Sequence, residues 1–241
     1  MKGVVLAGGL GSRLRPLTKI TNKHLLPVYD QPMIYYPLRR LVEAGITEIL
    51  LVTGGVYAGE FLRLLGNGAQ FGLKHLHYTY QEGEGGIAAA LALAEDFADG
   101  DRIAVILGDN IFQEPIKPYV KNYRRQAQGA RILLAEVANP ERFGCPELKK
   151  GKLVRIVEKP AAPASRYAVT GLYFYDREVF DIIRQLKPSA RGELEITDVN
   201  NHYLKKGRLE YDRLAGWWTD AGAFDSLLHA SNLVAADRRR K

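Results

Sequence analysis

Four continuous apolar stretches, residues 3–6, 48–53, 102–107 and 131–137, alternate with helix-like segments, and this alternation constrains the fold more than any other feature. A strand that is apolar at successive positions has no polar face, so it must be covered on both sides, as in parallel sheets sandwiched by helices. The intervening helices have visible ends. Residues 33–44 stop before Gly45, residues 57–65 before Gly66, and the alanine-rich stretch 87–97 before Gly100, where glycine terminates a helix readily. The pattern predicts an α/β fold with a doubly wound, Rossmann-like, mostly parallel sheet and right-handed crossovers.

The second half differs in character. Residues 152–158 and 167–175 read as longer strands, the latter (Tyr-Ala-Val-Thr-Gly-Leu-Tyr-Phe-Tyr) dense in β-formers. They predict a mixed or antiparallel extension of the sheet, followed by helices at 177–185 and 194–205, a strand at 209–214 and a last helix from Phe224. With no repeat or linker in 241 residues, one domain over 1–241 is expected, in two parts, 1–140 and 141–241.

Composition removes several classes. No apolar run approaches the ~20 residues of a membrane span, and the N-terminus turns to Gly and Arg before a signal-peptide pattern develops. The single Cys145 excludes an intrachain disulfide and a cysteine-rich zinc site, in keeping with a reducing, cytoplasmic compartment. The net charge is +7, yet Lys and Arg are interleaved with Asp and Glu, which argues against a nucleic-acid partner. Only Arg238-Arg239-Arg240-Lys241 is a basic cluster, read as a solvated helix end where positive charge is favourable.

The chemistry begins where the first strand ends. Leu6-Ala7-Gly8-Gly9-Leu10-Gly11-Ser12-Arg13 combines glycines, which let backbone N–H groups approach an anion, with an arginine fork for phosphate oxygens. Leu14 stands where a dinucleotide fingerprint needs its third glycine, and no Gly-Lys-Ser/Thr of a P-loop follows. A simple turn is the competing reading; Arg13, Arg15 and Lys23 favour phosphate. Gly108-Asp109-Asn110 closes a buried strand at the carboxyl end, where ligands of open α/β sheets bind, although Gly-Asp-Asn is also a common turn. Asp220 precedes the last helix and is either a second metal carboxylate or an N-cap. The five histidines lack metal-binding spacing, and His75 and His77 alternate in a strand-like stretch.

In order along the chain, these motifs resemble the sugar-nucleotide pyrophosphorylases, and among them the glucose-1-phosphate thymidylyltransferases. The resemblance rests on residues 2–13, 25–30, 32–38, 107–110, Glu158-Lys159-Pro160, 167–175 and 191–199. It implies nucleotidyl transfer by in-line attack of glucose 1-phosphate on the α-phosphorus of dTTP, with UTP the alternative donor, releasing pyrophosphate and dTDP-glucose. Carried over, Leu6, Gly8, Gly9, Gly11, Ser12, Arg13 and Asp109 hold the nucleotide, Lys23 approaches its phosphates, and Gln81 and Gly86 read the base. Asn110, Gly144, Glu158, Lys159, Val169 and Trp218 hold the sugar phosphate, with Tyr173 and Arg191 nearby, and Asp109 and Asp220 bind Mg²⁺. Arg13, Lys23, Asp109 and Lys159 carry catalysis. Residues 1–140 then form the nucleotide part and 141–241 the sugar-phosphate part.

Three departures qualify this. Gly86-Ile87-Ala88-Ala89 lacks the glutamine usual after the base-reading loop, which predicts looser base selectivity. Trp218-Thr219-Asp220-Ala221-Gly222 replaces Trp-Leu-Asp-Thr-Gly. The usual helical extension after the helix at Phe224 is not seen before Lys241, so feedback control through it is not expected, while a homo-oligomer through other surfaces is compatible with the sequence. A non-catalytic sugar-nucleotide-binding subunit is the rival class, disfavoured by the intact Arg13, Lys23, Asp109, Lys159 and Asp220.

Overall fold

The computed structural model describes residues 1–239. Seven strands form the main sheet: β1 (Lys2–Ala7), β2 (Glu48–Gly54), β3 (His75–Gln81), β4 (Ile103–Leu107), β5 (Ala130–Glu136), β6 (Tyr167–Tyr175) and β7 (Leu209–Arg213), in the order β7-β5-β6-β4-β1-β2-β3. All neighbours pair in parallel except β6, which runs antiparallel to both β4 and β5.

The apolar runs explain this sheet directly. Along β1, Val4 and Leu6 enter a core on one face while Val5 and Ala7 enter a core on the other. Helices α1 (Tyr35–Glu43) and α2 (Ala58–Leu65) cover one face through Leu38, Leu41 and Phe61; α3 (Ile87–Ala92) covers the other through Ala88 and Leu91. The predicted helix 87–97 is divided, with α4 (Glu95–Ala98) following a break at Leu93. Helix α5 (Lys117–Arg125), a polar-looking segment with Tyr119, Val120 and Tyr123 on its buried side, was not foreseen. Helices α6 (Glu178–Gln185), α7 (Ile196–Lys205) and α8 (Phe224–Arg239) lie close to expectation.

Residues 167–175 join the sheet antiparallel, as expected, and stand in its middle as β6, because Ala168, Leu172 and Phe174 pack on one face and Val169, Tyr173 and Tyr175 on the other. Residues 152–158 stay outside the sheet, pairing with Gly144–Lys149 in a two-stranded antiparallel ribbon. Their charged residues Lys152 and Arg155 are exposed, so a buried sheet position would strand charge.

The basic cluster is also less free than expected. Arg238 pairs with Asp30 and lies over the ring of Tyr29, 5.9 Å away, tying α8 to the loop after residue 28; residues 240 and 241 lie outside the described residues. His75 and His77 sit on β3, with the ring of His77 5.2 Å from that of Phe97. Among the described residues no helix is long and apolar enough to cross a membrane.

Candidate active site

The chain lays β1, β2 and β3 outward in one direction and then crosses to place β4 on the other side of β1. That reversal opens a crevice at the strands' carboxyl ends. Residues at or just beyond the ends of β1, β3 and β4, namely Gly8, Gln81 and Asp109, meet there along a cavity of ≈ 480 Å³ that is also lined by Leu6, Gly9, Gly11, Ser12, Arg13, Lys23 and Gly86. The nucleotide set named from the sequence is thus assembled in one place.

Glycine is required at two points in this cleft. Gly11 has φ +67°, and a side chain there would come within 2.9 Å of Lys23 Cβ and Thr18 Cγ2, so the loop closes on itself only without one. Thr18 Oγ1 donates to the Gly11 carbonyl at 2.9 Å, and Leu14 N–H donates to the same carbonyl at 2.9 Å. At Gly86, φ is +91° and a Cβ would lie 2.7 Å from the Leu194 carbonyl. Leu194 N–H donates to Gly85 O at 2.9 Å and Ala88 N–H to Leu194 O at 3.1 Å, so the loop at Gly85-Gly86 is stitched to the second half of the chain.

A second cavity, ≈ 180 Å³, continues the first and shares Arg13, Asp109, Lys159 and Arg191 with it. Asn110, Gly144, Glu158, Val169, Tyr173 and Trp218 line it, which brings the sugar-phosphate set together. Glu158 accepts from Thr197 Oγ1 at 2.6 Å and lies 3.7 Å from Arg191 and 4.0 Å from Lys159. Lys159 adopts φ +43°, a conformation that non-glycine residues hold at some cost. Its N–H donates to Phe143 O at 3.0 Å. Gly144 leaves the space beside Glu158 open, since a Cβ there would lie 3.2 Å from Thr197 Oγ1 and 3.5 Å from Glu158 Oε2.

Asp220 is not a helix N-cap. It ends a short strand, Trp218–Asp220, that pairs antiparallel with Asn110–Phe112, setting Asp220 opposite Asn110. This ribbon brings the two aspartates together: a methyl on Gly222 would sit 3.2 Å from Asp109 Oδ2, 3.3 Å from Asp220 Oδ2 and 2.9 Å from Arg13. Each carboxylate already faces a cation. Lys23 Nζ donates to Asp109 Oδ2 at 2.5 Å, and Arg142 lies 3.5 Å from Asp220.

Burial pushes the Asp109 carboxyl up, but the charge of Lys23 and hydrogen bonds from Lys23 and Asn110 outweigh it and hold the group below the usual carboxylate range. Asn110 does more than line a pocket: its Nδ2 donates to Asp109 Oδ1 at 3.0 Å, while its Oδ1 accepts from Gly171 N–H at 2.8 Å and Trp218 Nε1 at 2.7 Å. Arg142, Glu195 and Thr197 were missed from sequence. Arg142 stands two residues before Gly144 and Thr197 six after Arg191, so proximity to named residues was the available signal.

His24 lies behind the site, 2% exposed, with its ring Nδ1 2.8 Å from Asn22 Oδ1. Burial first, then the Lys23 charge, lower its pKa to about 3. The folded state therefore keeps it neutral while the unfolded chain protonates near 6.5, so its contribution is present above that value and is lost as the pH falls towards 3. We expect stability to fall by up to about 1.4 kcal/mol per pH unit in this window from this group. Urea midpoints of the wild type and His24→Asn at pH 7 to 4 check it: the variant's slope should be shallower, and equal slopes would contradict it.

The family model described as Nucleotidyl transferase matches residues 2–237. The glucose-1-phosphate thymidylyltransferase of Mycolicibacterium smegmatis is 48% identical over 97% of this chain and 82% of its own length, and that of Neisseria meningitidis 46% over the same shares. A Bacillus anthracis structure, described as a glucose-1-phosphate thymidylyltransferase in complex with a sucrose, superposes with a TM-score of 0.93 at 54% identity, covering 97% of this chain and 94% of that one. A UDP-glucose pyrophosphorylase complexed with UDP-glucose follows at 0.85 and 25%, covering 98% of each. With its sheet, its crevice and these likenesses in agreement, the chain belongs to the nucleotidyl transferase family, among the glucose-1-phosphate thymidylyltransferases.

Proposed function

We propose that the chain joins dTTP and glucose 1-phosphate into dTDP-glucose and pyrophosphate. The observation that carries this is the convergence of Arg13 and Lys23, from the nucleotide half, with Lys159, from the other half, on one cleft that also holds Asp109. The attacking phosphate oxygen is already anionic, so no general base is needed; catalysis comes from alignment and from cancelling charge repulsion between two phosphates. The glycine loop and Arg13 hold the triphosphate, Lys23 neutralises charge at its α-phosphate, and Lys159 draws in the sugar phosphate. Glu158, fixed by Thr197, accepts from sugar hydroxyls, and Asn110 and Trp218 hold Asp109 and the pocket wall in place. Gln81 and the Gly86 backbone read the pyrimidine against an apolar wall of Leu6, Ile87 and Ala90.

The donor set suits Mg²⁺. Two carboxylates face the space that a Gly222 side chain would fill, and Mg²⁺ is commonly held by one or two carboxylates plus substrate phosphates. Asp109 and Asp220 would hold it, and it would supply positive charge that offsets the charge of the phosphates. All these residues lie in one chain, so residues 1–140 and 141–241 act as one unit. Soluble substrates suit the cytoplasm.

Pyrophosphate release, measured with Mg²⁺ over a matrix of nucleoside triphosphates and sugar 1-phosphates, tests the reading. Turnover should be greatest with dTTP and glucose 1-phosphate. UTP is the second reading, since Ala89 replaces the glutamine usual after the base-reading loop; a UTP rate above the dTTP rate would establish it, and no turnover with any pair would defeat both. In the same assay Lys159→Gln should raise KM for glucose 1-phosphate about 10- to 100-fold, as expected for a lost charge-assisted phosphate contact, while the dissociation constant of dTTP stays nearly constant.

A further inference from the structure

The glycine loop already holds an anion that belongs to the chain itself. Leu10 N–H donates to Glu84 Oε1 at 3.3 Å, across 74 residues of sequence. Among the described residues, the N–H groups of Gly9, Gly11, Ser12 and Arg13 find no protein acceptor. Glu84 and Leu10 line the same ≈ 480 Å³ cavity as Arg13, Lys23, Lys159 and Arg191. A carboxylate drawn to a backbone N–H in a cationic cleft occupies the kind of position that a phosphate oxygen takes.

The local chain lets Glu84 do this. It stands in Gln81-Glu82-Gly83-Glu84-Gly85-Gly86, where Gly83 has φ +67°. The anchor on the far side is firm, since Gly85 O accepts from Leu194 N–H at 2.9 Å, whereas Glu84 itself is exposed. An exposed acid beside three glycines can swing off the loop without disturbing that anchor.

We propose that Glu84 is an affinity-determining residue for the nucleoside triphosphate: its carboxylate competes for the phosphate-binding loop, and the nucleotide binds by displacing it. This rests on the reading of residues 8–13 as the triphosphate site. The competing carboxylate adds charge repulsion to any polyphosphate and holds one donor of the loop. Solvent exposure limits the effect, and neutralising Glu84 should tighten binding about five- to tenfold, the range of one exposed charge-assisted hydrogen bond.

Titration calorimetry with inorganic tripolyphosphate, on the full chain as wild type, Glu84→Gln and Glu84→Ala, tests the proposal, with melting temperatures confirming that each variant is folded. Tighter tripolyphosphate binding in both variants, with an equal fall in KM for dTTP, is the expected result. Unchanged binding overturns it. If Glu84 were only a tie that keeps the two loops together, Glu84→Gln would match the wild type and Glu84→Ala would bind dTTP more weakly, which also overturns it. If neither wild type nor variants bind tripolyphosphate or dTTP, the triphosphate reading of the loop fails first, and the proposal with it.

Discussion

Asp109→Asn should lower kcat by about 10²–10³, the cost of losing one group that stabilises developing charge, with little change in fold. The two side chains have the same shape, so the amide oxygen can still accept from Lys23 and the backbone carbonyl still accepts from Ala221 N–H at 2.9 Å. What disappears is charge. Asp109 and Lys23 have side-chain exposures of 11% and 14%, and a cation this enclosed that loses its counter-ion is costly. The Lys23 ammonium then carries its charge unopposed towards the phosphates, and the proposed Mg²⁺ site loses one of two carboxylates. Single-turnover kinetics and the Mg²⁺ dependence of turnover check this: kcat should collapse and the metal requirement weaken, while dTTP binding without metal holds or improves. A variant with wild-type kcat would remove Asp109 from the chemistry.

Gly171→Ala should disable the site from within the sheet. The position lies in β6 in the buried middle of the structure, and an added Cβ would lie 2.5 Å from Asn110 Oδ1, 2.6 Å from Cγ and 2.8 Å from Nδ2. No single rotation of that amide escapes all three contacts, and its partners Asp109, Trp218 and the Gly171 N–H hold it. Overpacking of this kind costs about 1–3 kcal/mol; for a chain of this size each kcal/mol lowers Tm by about 2–4 °C. A fall of roughly 2–12 °C, with kcat lowered at least tenfold through the displaced Asp109, is expected. Thermal melts and steady-state kinetics on one preparation measure both, and loss of stability with unaltered kcat would show that Asn110 does not position Asp109.

These two residues also mark how far the sequence could be read. Asp109 was visible because strand ends are where open sheets bind ligands, although Gly-Asp-Asn is also a common turn. Gly171 looked like one weak residue in a β-rich run, because its role depends on an amide 61 residues away. Asp220 had two readings of equal standing until the ribbon pairing Trp218–Asp220 with Asn110–Phe112 set it beside Asp109. Arg142 had only its closeness in the chain to Gly144 as a signal.

Taken alone, the sequence determined the α/β class and the strand–helix alternation and pointed to residues 8–13 as the proposed phosphate loop, since burial on two faces, helix termination at glycine and the chemistry of Gly and Arg are local properties. The tertiary structure alone decided that β6 enters the middle of the sheet, that residues 152–158 leave it, and that Arg13, Lys23, Lys159, Asp109 and Asp220 share one cleft. Those are relations between residues far apart in the chain. Strand order and charge convergence arise from packing two cores against one sheet, and local pattern does not carry that information.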